Sequence, residues 1–348
     1  MQNKNKSMKI FKKIAKFTGY FLSLILALAL LFFIYINLPV KPVDDNAKIG
    51  VTFSARYAQD IGLDWRQAYL AMLDDLKIKY IRIPVYWDLV EKNSGEYDFS
   101  DIDWQLSEAQ KRDAKIILVI GQKVPRWPEC FIPEWVGSDD AKRKEKLLTF
   151  EETVVNRYKN NHPEIASWQI ENEPFLDFGV CPSADPDLLD AEIAKVKSLD
   201  SSRTVVITDS GELSLWIEAA KRADIFGTTM YREVYTKKYG HWRYPIGPNF
   251  FKAKQLLIKI FADQDNIVVI ELQGEPWVEG WTVHAPIERQ LESMNAEILR
   301  DNIGFAKKTG INEIYIWGVE WWYWMKETQN NSSLWEMAKS IINQNNLK

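Results

Sequence analysis

The chain has 348 residues, 46% hydrophobic and 26% charged, which is ordinary globular composition. Its charge is divided: residues 1–48 carry eight Lys against two Asp (net +6), and the remainder carries 36 basic against 46 acidic groups (net −10). A body of that sign supplies no phosphate-neutralising patch, which argues against nucleic acid as a partner and is compatible with a neutral ligand.

Lys4, Lys6, Lys9, Lys12, Lys13 and Lys16 form a basic segment over 1–16, followed by an uncharged run from Phe17 to Val40. Its apolar part, Phe17 to Ile36, is 20 residues long, about what a helix needs to cross the hydrocarbon core. A signal peptide usually has a shorter apolar region ending in a small-residue cleavage site, and no A-x-A pattern appears near Asn37-Leu38-Pro39. Residues 17–38 therefore read as an uncleaved transmembrane signal anchor. The lysines remain in the cytoplasm on this reading, and a linker at 39–47 leads to a domain at 48–348 outside the cell membrane.

Beyond the linker, short β-branched runs alternate with longer amphipathic segments, the pattern of βα units around a parallel sheet. Eight strands are expected: Ile49–Ser54, Tyr80–Val85, Lys115–Ile120, Ile165–Ile170, Thr204–Thr208, Ile225–Thr229, Ile267–Glu271 and Glu313–Trp317. Helical periodicity fills the gaps, as in Trp65–Leu76 and Glu288–Lys308. Eight such units in one domain predict an α/β fold, a single (β/α)8 TIM barrel preceded by one N-terminal transmembrane helix.

On a barrel, function lies in the loops that follow the strands. Those loops gather aromatic residues: Trp87, Trp127, Trp135, Tyr231, Trp242, Trp277, Trp281, Trp317, Trp321, Trp322 and Trp324. Aromatic faces stack on the apolar faces of pyranose rings, so Trp87, Trp127 and Trp277 are candidate sugar contacts; the competing reading is that bulky Trp plugs the barrel end. Two glutamates stand where buried strands stop. Ser167-Trp168-Gln169-Ile170 runs into Glu171-Asn172-Glu173-Pro174, and Ile267-Val268-Val269-Ile270 runs into Glu271. Carboxylates at the ends of strands four and seven can converge across the barrel mouth, as a glycosidase acid and nucleophile must. Glu173 is the expected acid/base and Glu271 the expected nucleophile. Glu275, farther from its strand, is the rival nucleophile.

This arrangement resembles clan A of the glycoside hydrolases, the (β/α)8 retaining enzymes that include cellulases, mannanases and β-galactosidases. The resemblance rests on Asn172-Glu173-Pro174, Glu271, Ile81-Arg82-Ile83-Pro84-Val85 with Trp87, Gly95-Glu96-Tyr97-Asp98-Phe99, Pro125-Arg126-Trp127 and Trp317. It implies that Arg82 hydrogen-bonds the nucleophile, Asn172 binds the sugar 2-hydroxyl, Tyr231 orients Glu271 and Trp317 floors the subsite of bond cleavage. Cellulase-like family 5 members usually place His after strand three and two residues before the strand-six Tyr. Here those positions are near Gln122 and Thr229, so the chain departs from a typical family 5 member.

Glu171 reads as a supporting or loop-paired residue, Glu320 and Asp209 as subsite or solvated loop charges, and Lys142 to Lys146 as a solvated helix start. Cys130 and Cys181 fall in loops after consecutive strands, where either a disulfide or two separate thiols fit. His162, His241 and His284 show no ligand spacing, so no metal is expected, nor any cofactor. The expected function is a membrane-anchored extracytoplasmic retaining β-glycosidase acting on an oligo- or polysaccharide. The alternatives are a non-catalytic carbohydrate-binding barrel and a transglycosylase acting on a cell-surface glycan; the oligomeric state stays open.

Overall fold

The structure, a computed structural model, describes residues 2–42 and 47–346. Residues 43–46 of the expected linker, Met1 and residues 347–348 lie outside the described residues. Ten strands follow in chain order: β1 (Lys48–Thr52), β2 (Tyr80–Pro84), β3 (Lys115–Ile120), β4 (Ile165–Ile170), β5 (Thr204–Asp209), β6 (Ile225–Met230), β7 (Glu233–Thr236), β8 (Gly240–Arg243), β9 (Ile267–Gln273) and β10 (Glu313–Trp317). All but β7 and β8 close into a parallel barrel in the order β1-β10-β9-β6-β5-β4-β3-β2, with helices between the strands. This is the (β/α)8 architecture. Runs such as Ile116-Ile117-Leu118-Val119-Ile120 are apolar throughout because a parallel strand is covered on both faces.

Two of the buried clusters follow from that geometry. The larger fills the layer between barrel and helices, and a smaller one of Ile117, Val206, Val268, Ile270 and Tyr315 plugs the barrel itself. Side chains alternate along a strand, so the residue two places on faces the same way. Arg82 follows Tyr80, Thr208 follows Val206 and Trp317 follows Tyr315, which carries these residues from the apolar plug toward the C-terminal mouth.

Three local features differ from the sequence expectation. Glu233–Thr236 and Gly240–Arg243 form an antiparallel hairpin outside the barrel, where too few apolar residues alternate to mark strands. The helix expected over Glu288–Lys308 is two, Ile287–Ser293 and Ala296–Lys308, because the Asn295 side chain accepts from the amides of Glu297 and Ile298 and starts a new helix. The N-terminal helix runs unbroken from Gln2 to Ile36, so the basic segment is helical too. Its Phe11–Ile36 stretch is long and apolar enough to cross a membrane. The end of this helix is tied to the loop after β8 and to the helix Pro248–Ala262 that follows it: Asn37 Nδ2 donates to Pro245 O at 3.2 Å, and Asn249 Nδ2 donates to Tyr35 O at 3.1 Å.

Candidate active site

Arg82 is the hub of the mouth. A guanidinium in the middle of a barrel strand is fully buried (0% exposed), and burial of a charge requires partners for its donors. Its Nη1 donates to Glu271 Oε1 at 2.6 Å, Nη2 to Asn172 Oδ1 at 2.6 Å and Nε to Gln169 Oε1 at 2.8 Å. The other oxygen of Glu271 accepts from the Tyr231 hydroxyl at 3.0 Å. Four residues named from sequence, Arg82, Asn172, Tyr231 and Glu271, are thus brought into one connected cluster.

Glu173 is placed differently. Its Oε1 accepts only a long bond, 3.3 Å, from the Thr229 hydroxyl, and its amide donates to Thr208 Oγ1 at 2.8 Å. Thr229 stands where the resemblance leads one to expect the neighbourhood of a His. Burial pushes the Glu173 carboxyl well above its usual range, and the negative charges of Glu271 and Glu129 push it further, with Lys123 opposing them.

Strained backbone surrounds the pair. Arg126, Glu129, Glu171 and Glu173 all take positive φ, between 45° and 94°, a conformation that costs of order 1 kcal/mol or more each for residues with a Cβ. Several contacts hold it in place. The Glu171 carboxylate accepts from the amides of Gln122 at 2.9 Å and Lys123 at 2.7 Å. Gly121 permits that approach, since a Cβ there would lie 2.7 Å from Glu171 Oε1. Lys123 Nζ donates to the carbonyls of Glu173 at 3.0 Å and Leu176 at 2.6 Å. The Cys130–Cys181 disulfide, Cα atoms 5.3 Å apart, ties the loop after β3 to the loop after β4.

Glu129 was not singled out from sequence, because it sits between Pro128 and Cys130 and reads as loop charge. It is 7% exposed and accepts from Asn172 Nδ2 at 3.1 Å. Burial, aided by the negative charge of Glu271, pushes its carboxyl up to about 8. The unfolded value is about 4.3, so stability contributed by this group is present at low pH and is lost as pH rises toward about 8. Because an ionised Glu129 also raises Glu173, Glu129→Gln is expected to move the basic limb of the kcat/KM profile to lower pH and to flatten the decline of Tm over that range. A pH–rate profile and melting curves between pH 4 and 9 check both; an unshifted limb would show that Glu129 is not coupled to the acid.

Other sequence candidates land elsewhere. Trp87 does not face the mouth: it is fully buried, its ring stacked on Phe150 at 5.5 Å and its indole nitrogen donating to Glu91 at 2.7 Å. It starts the short helix Trp87–Val90, which turns it into the outer core. Trp321 and Trp322 are likewise fully buried, whereas Trp127 is 61% exposed and lies edge-on to Phe178 at 6.1 Å. Trp277 meets Tyr231 at 5.2 Å and Phe178 at 6.3 Å. Trp317 has the Arg126 guanidinium 4.0 Å from its ring, so one face is already covered.

The Oε1 of Glu275, the rival nucleophile, accepts from Arg126 Nη1 at 2.5 Å and from the Trp317 indole nitrogen at 2.7 Å. Glu320 and Asp209 are buried rather than solvated. In the expected solvated run, Arg143 is buried against Gln122 Oε1 while its helix, Asp140–Tyr158, begins at a cap on Asp139. A cavity of about 490 Å³ lies between the β7–β8 hairpin and the loop after β9, lined by Tyr235, His241, Trp281, His284 and Arg289; it includes neither Glu173 nor Glu271.

The two carboxyls thus stand in contrasting settings: Glu173 is buried and pushed well above its usual range, while Glu271 is fixed by a guanidinium and a phenol. Residues 47–301 match the model of the cellulase family, glycosyl hydrolase family 5. The chain belongs to glycosyl hydrolase family 5. A probable mannan endo-1,4-β-mannosidase A-1 of Aspergillus terreus is 27% identical over 130 residues, 34% of this chain and 32% of that protein. The chain thus spans about a third of the curated relative's length.

Solved structures share the fold at low identity. The β-galactosidase of the psychrophilic Marinomonas ef1 superposes with TM-score 0.53 at 13% identity, over 85% of this chain and 59% of that one. Xylanase 10B of Thermotoga petrophila gives 0.55 at 13% identity over 86% and 95%. The exo-β-1,4-mannosidase Op5Man5 of an Opitutaceae bacterium gives 0.54 at 15% identity over 78% and 51%.

Proposed function

We propose that this family 5 enzyme is a retaining β-glycosidase that works by double displacement, with Glu173 as acid/base and Glu271 as nucleophile. The observation that carries the proposal is the contrast between the two carboxyls. Glu271 takes Arg82 and Tyr231 at 2.6 and 3.0 Å, while Glu173 has one weak hydroxyl donor and is pushed well up by burial and negative neighbours.

In the first step Glu173 gives its proton to the glycosidic oxygen as a Glu271 oxygen bonds to the anomeric carbon and the leaving group departs. Arg82 and Tyr231 aim the carboxylate. In the second step Glu173, now ionised, takes a proton from a water whose oxygen bonds to the same carbon, and Glu271 leaves. Arg82 fixes the Asn172 amide by its oxygen, and Glu129 takes one amide hydrogen, leaving the other for the sugar 2-hydroxyl.

On this proposal the N-terminal helix anchors the domain at the outer face of a membrane, with its lysines inside. The tie between Asn37 and Pro245 then fixes the anchor to a loop that follows the sixth barrel strand, beside the mouth. The substrate is a β-linked glycan. The test is proton NMR of the full chain in detergent with nitrophenyl β-glycosides of glucose, galactose, mannose and xylose. The β-anomer is expected to appear first; an α-anomer as first product would replace double displacement by inversion.

A further inference from the structure

If Glu173 protonates the leaving oxygen, the leaving group lies on the side of β4, β5 and β6. The sugar bonded at Glu271 then points its far end toward the loops after β10, β1 and β2. That side of the mouth is closed. Arg126 crosses it from the loop after β3, with Nη1 on Glu275 beyond β9 and Nη2 on Glu320 Oε2 at 2.8 Å beyond β10. Its guanidinium is sandwiched between Tyr57 at 3.6 Å and Trp317 at 4.0 Å, and Trp281 stacks behind Tyr57 at 6.3 Å.

The wall is braced from behind. The Ser54 amide donates to the other Glu320 oxygen at 2.6 Å, and Tyr86 OH joins Ser54 Oγ to the Pro125 carbonyl. Arg126, Tyr57, Trp317 and Glu320 are all at or below 8% exposure. Parting a buried guanidinium from buried Glu320 and nearly buried Glu275 leaves uncompensated charge, so this wall does not yield to a passing sugar. The leaving-group side carries Trp127 and Phe178 instead, 61% and 40% exposed.

We propose that the site is a dead-end pocket for the terminal, non-reducing sugar of a β-linked chain, so that the enzyme releases monosaccharides one at a time. This rests on the glycosidase reading above. Glu275 completes the wall. Its Oε1 accepts from Arg126 and Trp317, and its Oε2 is buried without a hydrogen-bond partner among the described residues. An internal sugar, substituted at its far end, meets the wall.

The test compares p-nitrophenyl β-D-monosides of the four sugars with the matching β-1,4-biosides, using the full chain in detergent and identifying the first product. The pocket predicts nitrophenol release from a monoside with kcat/KM about 100-fold or more above direct release from its bioside, which loses its terminal sugar first. In Arg126→Ala that ratio falls at least about tenfold. A bioside that releases intact disaccharide and nitrophenol as fast as the monoside overturns the dead-end pocket and leaves the glycosidase standing. So does an unchanged ratio in an Arg126→Ala chain that still cleaves the monoside. Hydrolysis of none of these glycosides overturns the glycosidase reading, and the pocket with it.

Discussion

Glu271→Ala is expected to lower kcat on every substrate by on the order of 10⁵-fold, the scale seen when a covalent nucleophile is deleted. No neighbouring group can replace it: Glu275 has one oxygen bound to Arg126 and Trp317, and Glu129 is engaged by the Asn172 amide. The substitution also leaves Arg82 without its anionic partner, and breaking a buried pair costs about 3–5 kcal/mol, so Tm must be read alongside rate. Azide separates the two effects. A small anion can occupy the space of the lost carboxylate and attack the anomeric carbon, so activity returns and the product is an α-glycosyl azide. A folded Glu271→Ala chain that keeps more than a hundredth of wild-type kcat would exclude Glu271 as nucleophile.

Glu173→Ala separates substrates by leaving group. A sugar or alkoxide leaving group needs its proton, and a general acid supplies about 10²–10⁴-fold in rate, so kcat/KM on such glycosides is expected to fall by that amount. A dinitrophenolate leaves unaided, and its kcat/KM is expected to change less than about tenfold. The basic limb of the profile disappears with the carboxyl, since the group held high by burial and by Glu271 and Glu129 is gone. Equal losses on both kinds of substrate would mean that Glu173 positions the sugar rather than protonating its oxygen.

The residues most legible in sequence were those whose chemistry contradicts their setting. Arg82 interrupts an apolar strand, and a charge in that position is tolerable only with buried partners, which the structure supplies in Glu271, Asn172 and Gln169. The strands were legible for a similar reason, as apolar runs covered on both faces; β3, β4 and β10 have the residue limits expected from sequence. Glu129 and Arg126 were opaque because their roles depend on a loop folding back across the mouth. Nothing local marks a Glu beside Cys130 as buried against Asn172. Trp87 misled because an aromatic residue after a strand can turn into the mouth or into the helical layer, and its stacking on Phe150 comes from a helix more than sixty residues away in the chain.

Double displacement requires a covalent bond between sugar and Glu271. The most direct test incubates the full chain in detergent with 2-deoxy-2-fluoro β-glycosides bearing good leaving groups, then reads intact mass and maps the labelled peptide. One added glycosyl group is expected, on Glu271, and none on Glu271→Ala. A label on Glu275, or steady hydrolysis of the natural β-glycoside with no adduct from its fluoro analogue, would contradict it.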